Sequence, residues 1–173
     1  ELELEDNFIT DIEPLSGLTQ LVYLNLEEND IASVLPLTEL TQLVELNLCD
    51  NNITSISALS SLTNLYELEL CDNFITSVSA LSDMSNLQWL SLEYNAISSI
   101  TPLASLSMLR GVDLSRNFIT EVSSLTDIAT LEVLLLLGNP LSEQALCTDI
   151  PAIQAGARVI STGTCGGEGE GEG

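Results

Sequence analysis

The stretch LVELNLCDNNITSISALSSLTN, residues 43–64, is 22 residues long, and the chain on either side of it is the same stretch repeated. Blocks opening at Leu21, Leu65, Leu87 and Leu109 align with it without a gap. Residues 1–20 fit as a copy lacking its first two positions, and Leu131 opens a seventh copy that keeps the pattern through Leu141. The shared pattern is LxxLxLxxNxIxxIxxLxxLxx. A fixed period of this size outranks any local motif as an indicator of fold.

Each position has a physical meaning. The fourth and sixth residues are apolar and alternate with polar ones, for example Leu68 and Leu70, which is the period of a half-buried strand. Asn stands ninth in every copy: Asn7, Asn29, Asn51, Asn73, Asn95, Asn117 and Asn139. Its amide turns the chain out of the strand and can bond backbone groups of its own turn and of the next coil. The second half of each block carries apolar residues every three positions, which suits short 3₁₀ segments rather than long helices. One such coil cannot bury its own leucines, so neighbours must stack.

These residues resemble leucine-rich repeats, specifically the 22-residue class seen in SDS22-like proteins and bacterial internalins. The resemblance covers residues 1–141. It implies an α/β architecture: a leucine-rich-repeat solenoid with a concave parallel β-sheet and short 3₁₀ or turn segments on the convex side. It also implies protein binding on the concave face. The following segment, GNPLSEQALCTDIPAIQAGARVI, resembles the C-terminal helical cap of such arrays in bacterial surface proteins.

The expected organisation is therefore repeats over 1–141, a cap over 142–165 and a Gly/Glu tail, GGEGEGEG, over 166–173 that buries nothing and reads as a linker. In the cap, Ser142 is expected to start a helix with Glu143 in its first turn. That helix is expected to reach about Thr148 and to be limited by Pro151, with Gly156 as a stop and a short edge strand over 157–161. At the other end Glu1 already occupies the third position of a coil. Further repeats or a cap are expected before it, and an uncapped first coil would offer an edge for end-to-end self-association.

Charge narrows the function. The formal net charge is −23, with no His and 3 residues of Lys plus Arg, all of them Arg: Arg110, Arg116 and Arg158. Such a chain repels phosphate backbones and anionic lipid, so nucleic acid is not an expected partner and a basic one is. The longest pure apolar run, residues 133–137, is far short of a membrane span of about 20 residues. Without His or Lys, the Ser–His, Cys–His and P-loop arrangements are unavailable, and no enzyme activity is expected.

Cys147 and Cys165 flank the segment where repetition stops, and a bridge between them would suit an oxidising, extracellular setting. Cys49 and Cys71 stand at the same position of adjacent copies. In-register rungs set their Cα atoms within disulfide range but hold the Cβ atoms far apart for a relaxed bridge. A bridge and two free thiols both remain open at this level.

If positions four and six point inward, positions two, three, five, seven and eight face the concave side. More than half of the 26 carboxylates fall on these five positions, as do Trp89, Tyr23, Tyr66 and Tyr94. The candidate partner-binding residues are Tyr23, Glu45, Tyr66, Glu67, Glu69, Asp72, Trp89, Glu93, Tyr94, Asp113 and Arg116. Aromatic side chains on a rigid surface are the usual anchors of an interface. Trp89, Tyr66 and Tyr94 are expected to cluster, and Arg110 and Arg116 to pair with Glu93 and Asp113. Rows of carboxylates raise Ca²⁺ binding, but a ladder of oxygens diverges where a hard cation needs six to eight converging ones. No metal or cofactor is assigned. Phe8, Phe74 and Phe118, each directly after the Asn, are expected to pack between coils. The functional expectation is an acidic groove with an aromatic centre that binds a basic protein or peptide, on a bacterial extracellular or surface protein. The alternative is a structural spacer or self-assembling unit of a cell-surface array.

Overall fold

A computed structural model describes residues 1–165; the GGEGEGEG stretch lies outside them. Each copy of the repeat forms one coil, and each coil contributes one short strand. The strands are β1 (Leu2–Glu3), β2 (Tyr23–Asn25), β3 (Glu45–Asn47), β4 (Glu67–Glu69), β5 (Trp89–Ser91), β6 (Gly111–Asp113) and β7 (Val133–Leu136). An eighth, β8 (Arg158–Ser161), follows the cap. They lie in chain order in one sheet, every pair parallel. Register follows the period, with Leu24 opposite Leu46, Leu46 opposite Leu68 and Leu68 opposite Leu90.

Opposite the sheet, each coil closes through a short 3₁₀ turn: Glu13–Leu15, Leu35–Leu37, Ser57–Ser61, Ser79–Leu81, Thr101–Ser105 and Ser123–Leu125. Pro14, Pro36 and Pro102 sit in the first turn of three of them, where no backbone N–H is required. The inward Leu, Ile and Val side chains form a single buried column along the solenoid axis.

The asparagines hold the coils together. Asn95 is buried. Its Nδ2 donates to the carbonyls of Leu92 and Glu93 in its own turn and of Leu70 in the preceding coil, at 3.2, 3.2 and 2.9 Å. Its Oδ1 accepts the N–H of Ile75, also in the preceding coil, at 2.8 Å. Asn29, Asn51, Asn73 and Asn117 repeat these four bonds. The ladder therefore reaches back to the preceding coil, not forward to the next. The Asn7 side chain is exposed and bonds only its own turn, to the carbonyls of Leu4 and Glu5.

Burying the Asn requires a sharp change of direction after the strand. The residue before it takes a left-handed conformation in every coil: Asp6, Glu28, Asp50, Asp72, Tyr94 and Arg116 have φ between 48° and 55°. Gly138 takes the same role at 71°. Asp adopts this region at little cost and Gly at none, whereas Tyr94 and Arg116 carry real backbone strain there. The eighth position is thus a turn, not merely an exposed strand end.

In the cap, Ser142 Oγ accepts the N–H of Ala145 as expected. The helix runs further than expected. A widened π turn, Ala145–Asp149, leads into α1 (Ile150–Gln154), with Pro151 inside its first turn. A proline clashes with the carbonyl four residues before it; the wider preceding turn accommodates the ring, so Pro151 does not end the helix. Ala145, Ile150 and Ile153 are buried against the last coil. Both cysteine pairs are bridged, Cys147–Cys165 and Cys49–Cys71. At Cys49 and Cys71 the Cα atoms are 4.5 Å apart, close enough for the bridge that rung spacing alone left open. The three phenylalanines do not pack between coils: Phe8, Phe74 and Phe118 are exposed at 92%, 60% and 62%. Position ten lies outside the turn that buries position nine, so its side chain points to solvent.

The Asn ladder gives a graded prediction. Asn95→Ala orphans a buried N–H and removes a donor from three carbonyls, and is expected to cost about 3 kcal/mol. Asn7→Ala, with only local exposed bonds, should cost under about 1 kcal/mol. Urea unfolding would measure both; equal midpoint shifts would refute the assignment.

Candidate functional site

The concave face is built from the outward positions of β2–β7, whose inward leucines fix every strand in the core. Its side chains stand in rows one rung apart, about 4.8 Å. Two adjoining hollows occupy this face. The first, about 240 Å³, is lined by Tyr23, Glu45, Leu46, Asn47, Glu67 and Glu69. The second, about 250 Å³, lies toward the C-terminal rungs. Glu67 and Glu69 of β4 form its near wall, Trp89 and Ser91 of β5 and Gly111 and Asp113 of β6 its centre, and Val133 and Leu135 of β7 its far wall.

Trp89 is fixed before any partner arrives. Its Nε1–H donates to the Tyr66 hydroxyl at 3.1 Å. Its six-membered ring lies on Gly111, where a Cβ would stand 2.3 Å from Cζ3 and 2.4 Å from Cε3. Only glycine on the next rung lets the indole lie this way.

The carboxylates are crowded. Burial pushes the Glu69 carboxyl above the usual carboxylate range, and Glu67 and Glu27 push it the same way. Burial likewise raises Asp72, with help from Asp50. Glu93 is raised by burial, Asp113 and Asp72 together, which outweigh the opposing effect of Arg116. Burial and then Glu3, Glu5, Glu45 and Glu1 raise the Tyr23 hydroxyl. Some of the polar groups are partly engaged. Asn47 donates to Glu27 Oε2 at 2.9 Å and accepts from the Cys49 N–H, and Asp113 accepts from the Ser115 N–H at 2.8 Å.

The arginines do not neutralise the groove floor. Arg110 pairs with Glu132 on the rim rather than with Glu93 or Asp113. Arg116 lies 4.6 Å over the Tyr94 ring and 3.9 Å from Glu93. Tyr94, Arg116 and Asp72 line a different recess, about 520 Å³, at the turn edge with Phe74 and Asn95. The expected aromatic cluster therefore divides: Trp89 and Tyr66 are bonded to each other, while Tyr94 stacks with Arg116 on the edge. Of the candidate residues, Tyr23, Glu45, Glu67, Glu69, Trp89 and Asp113 line the two central hollows. Sequence reasoning passed over Gly111, Val133 and Leu135. The signal was present as a glycine beside the only tryptophan and as a seventh rung without a carboxylate at positions three, five and seven. Among the described residues, no group of three or more His, Cys, Asp or Glu is placed to hold a metal ion. Nor, among those residues, is any helix long and apolar enough to cross a membrane.

No curated protein sequence matches the chain. The family described as "Leucine rich repeat" matches residues 41–97 and 63–110. Solved structures are similar over most of the chain. Internalin C2 from Listeria monocytogenes is 30% identical, with a TM-score of 0.72, over 93% of this chain and 80% of that one. A leucine-rich-repeat protein from Leptospira interrogans is 26% identical, with a TM-score of 0.85, over 92% of this chain and 42% of that one. The leucine-rich-repeat ectodomain of the Arabidopsis thaliana membrane receptor kinase GASSHO1/SCHENGEN3, solved in complex with CASPARIAN STRIP INTEGRITY FACTOR 2, is 26% identical. Its TM-score is 0.70, over 79% of this chain and 18% of that one.

Carboxylates with raised pKa destabilise the fold once ionised, so stability is gained as pH falls through their range and lost as it rises. The melting temperature should therefore rise between pH 7 and about pH 5. Glu69→Gln should raise it at pH 7 and flatten that slope. A flat or falling profile by circular dichroism would contradict the crowding.

Proposed function

The chain belongs to the leucine-rich-repeat family, in its internalin-like class, and from that premise we propose that it is a non-catalytic protein-binding module of a secreted or surface-exposed bacterial protein. The partner is a basic protein or peptide, held on the concave face. The observation that carries this is the groove itself. Carboxylates on successive rungs, among them Glu69 with its carboxyl raised by burial and by Glu67 and Glu27, border an indole fixed on a glycine. A basic partner would relieve that repulsion on binding, and a pre-positioned aromatic loses little freedom in doing so.

Other features support the reading. The leucine-rich-repeat fold is commonly a protein–protein interaction module, and a similar plant ectodomain was solved with a bound factor. Two disulfides fit an oxidising compartment. The net charge of −23 favours cationic partners and fast, salt-sensitive association.

A random peptide display library panned against the immobilised chain should enrich sequences rich in Lys and Arg. Selected peptides should lose at least about 10-fold in affinity to a Glu67→Lys, Glu69→Lys double variant. They should weaken similarly on Trp89→Ala. Selection of peptides without a basic bias, or binding untouched by these changes, would count against the proposal.

A further inference from the structure

The two central hollows differ in chemistry, and they share a wall. The one toward the N-terminal rungs is polar and acidic, with Glu45, Glu67, Glu69, Asn47 and Tyr23 around it. The one toward the C-terminal rungs has Glu67 and Glu69 on one side and Asp113 at its centre, that carboxylate already accepting the Ser115 N–H; Trp89, Val133 and Leu135 supply its apolar reach. Leu137, next on the same strand side, is 40% exposed. The floor of the groove therefore passes from acid to indole to aliphatic over a few rungs. At about 250 Å³ the apolar hollow falls below the roughly 300 Å³ at which small-molecule sites begin. It is of a size for one side chain.

Resting on the reading above, we propose that the groove takes an extended peptide segment with one basic side chain in the acidic hollow and one large aliphatic side chain in the Trp89 hollow. The spacing follows from the sheet. The acidic hollow centres on the rung of β3, and the apolar one between those of β5 and β6. That separation of two to three rungs is about 10–14 Å. An extended segment advances about 3.3 Å per residue and presents every second side chain to one face. Side chains four positions apart, about 13 Å, then match the two seats. The apolar seat sets the specificity and the acid the attraction, because an aliphatic group left in water gains nothing from charge.

Trp89 makes the test direct, since it is the one tryptophan of the chain and lies in the apolar hollow. The probes are capped peptides in a Ser/Thr background: one with Arg and Leu four positions apart, one with the Leu replaced by Ser, and one with the Arg replaced by Ser. A fourth has Arg and Leu three positions apart. Each is titrated to millimolar concentration. The first peptide should shift Trp89 emission to the blue and bind at least 10-fold more tightly than the other three. The Leu-free peptide should bind without the blue shift. On Gly111→Val, which displaces the indole, the preference for Leu should vanish while the Arg-dependent affinity remains; the peptide series on the unaltered chain stands even if that variant does not fold. If the three Arg peptides bind equally with no emission shift, the two-seat inference fails and the acidic-groove reading survives. If no Arg peptide binds, both fail. If Trp89 emission instead shifts with protein concentration alone, the apolar seat belongs to a second copy of the chain, and the proposal is overturned.

Discussion

A coil of this protein cannot close on itself without borrowing hydrogen bonds from its neighbour. The strand ends in a turn that carries backbone carbonyls and an N–H into the core, where water cannot reach them. The asparagine at position nine satisfies them with one side chain, through bonds such as those from Asn95 to Leu70, Leu92, Glu93 and Ile75. Everything else follows from keeping that side chain inside. The residue before it must bend left-handed, the leucines of successive coils must fall in register, and the strands must lie side by side in parallel.

The same regularity creates the concave face and its difficulty. Parallel in-register strands set like positions one rung apart, so a carboxylate repeated in sequence becomes a row of neighbouring charges. Glu69, Asp72 and Glu93 all have their carboxyls pushed up by burial and by other acids. The two arginines near them are spent on the rim and the turn edge. Repulsion of this kind lowers the stability of the free chain and is relieved when a cation approaches. The Asn ladder and the buried column of aliphatic side chains are what allow such a face to persist without a partner.

The repeat made most of the architecture legible. Leu68 and Leu70 announced an inward-facing strand by alternation alone, and the invariant Asn announced its turn. What the sequence did not reveal depended on geometry within and between coils. The strained turns at Tyr94 and Arg116 were hidden because these residue types do not advertise a left-handed backbone, although Asp50, Asp72 and Gly138 at the same position do. Phe74 looked like core because it is aromatic and follows a buried residue, yet the bend turns it outward. Pro151 looked like a stop because nothing in the sequence signals the widened turn ahead of it. Of the candidate site, the acidic rows and Trp89 were legible from the period. The apolar half was not, since it depends on the indole lying on Gly111 and reaching toward Val133, which are on different strands.

Asparagine side chains complete the bonding between coils, and native-state amide hydrogen exchange tests this most directly. The N–H groups of Ile31, Ile53, Ile75, Ile97 and Ile119 donate to asparagine Oδ1 atoms of the following coil. They should exchange only by opening of the coil stack, as slowly as the N–H groups of Leu46, Leu68 and Leu90 in the sheet. Exchange at the rate of exposed turn amides, such as that of Ser57, would show that these bonds do not hold the coils together.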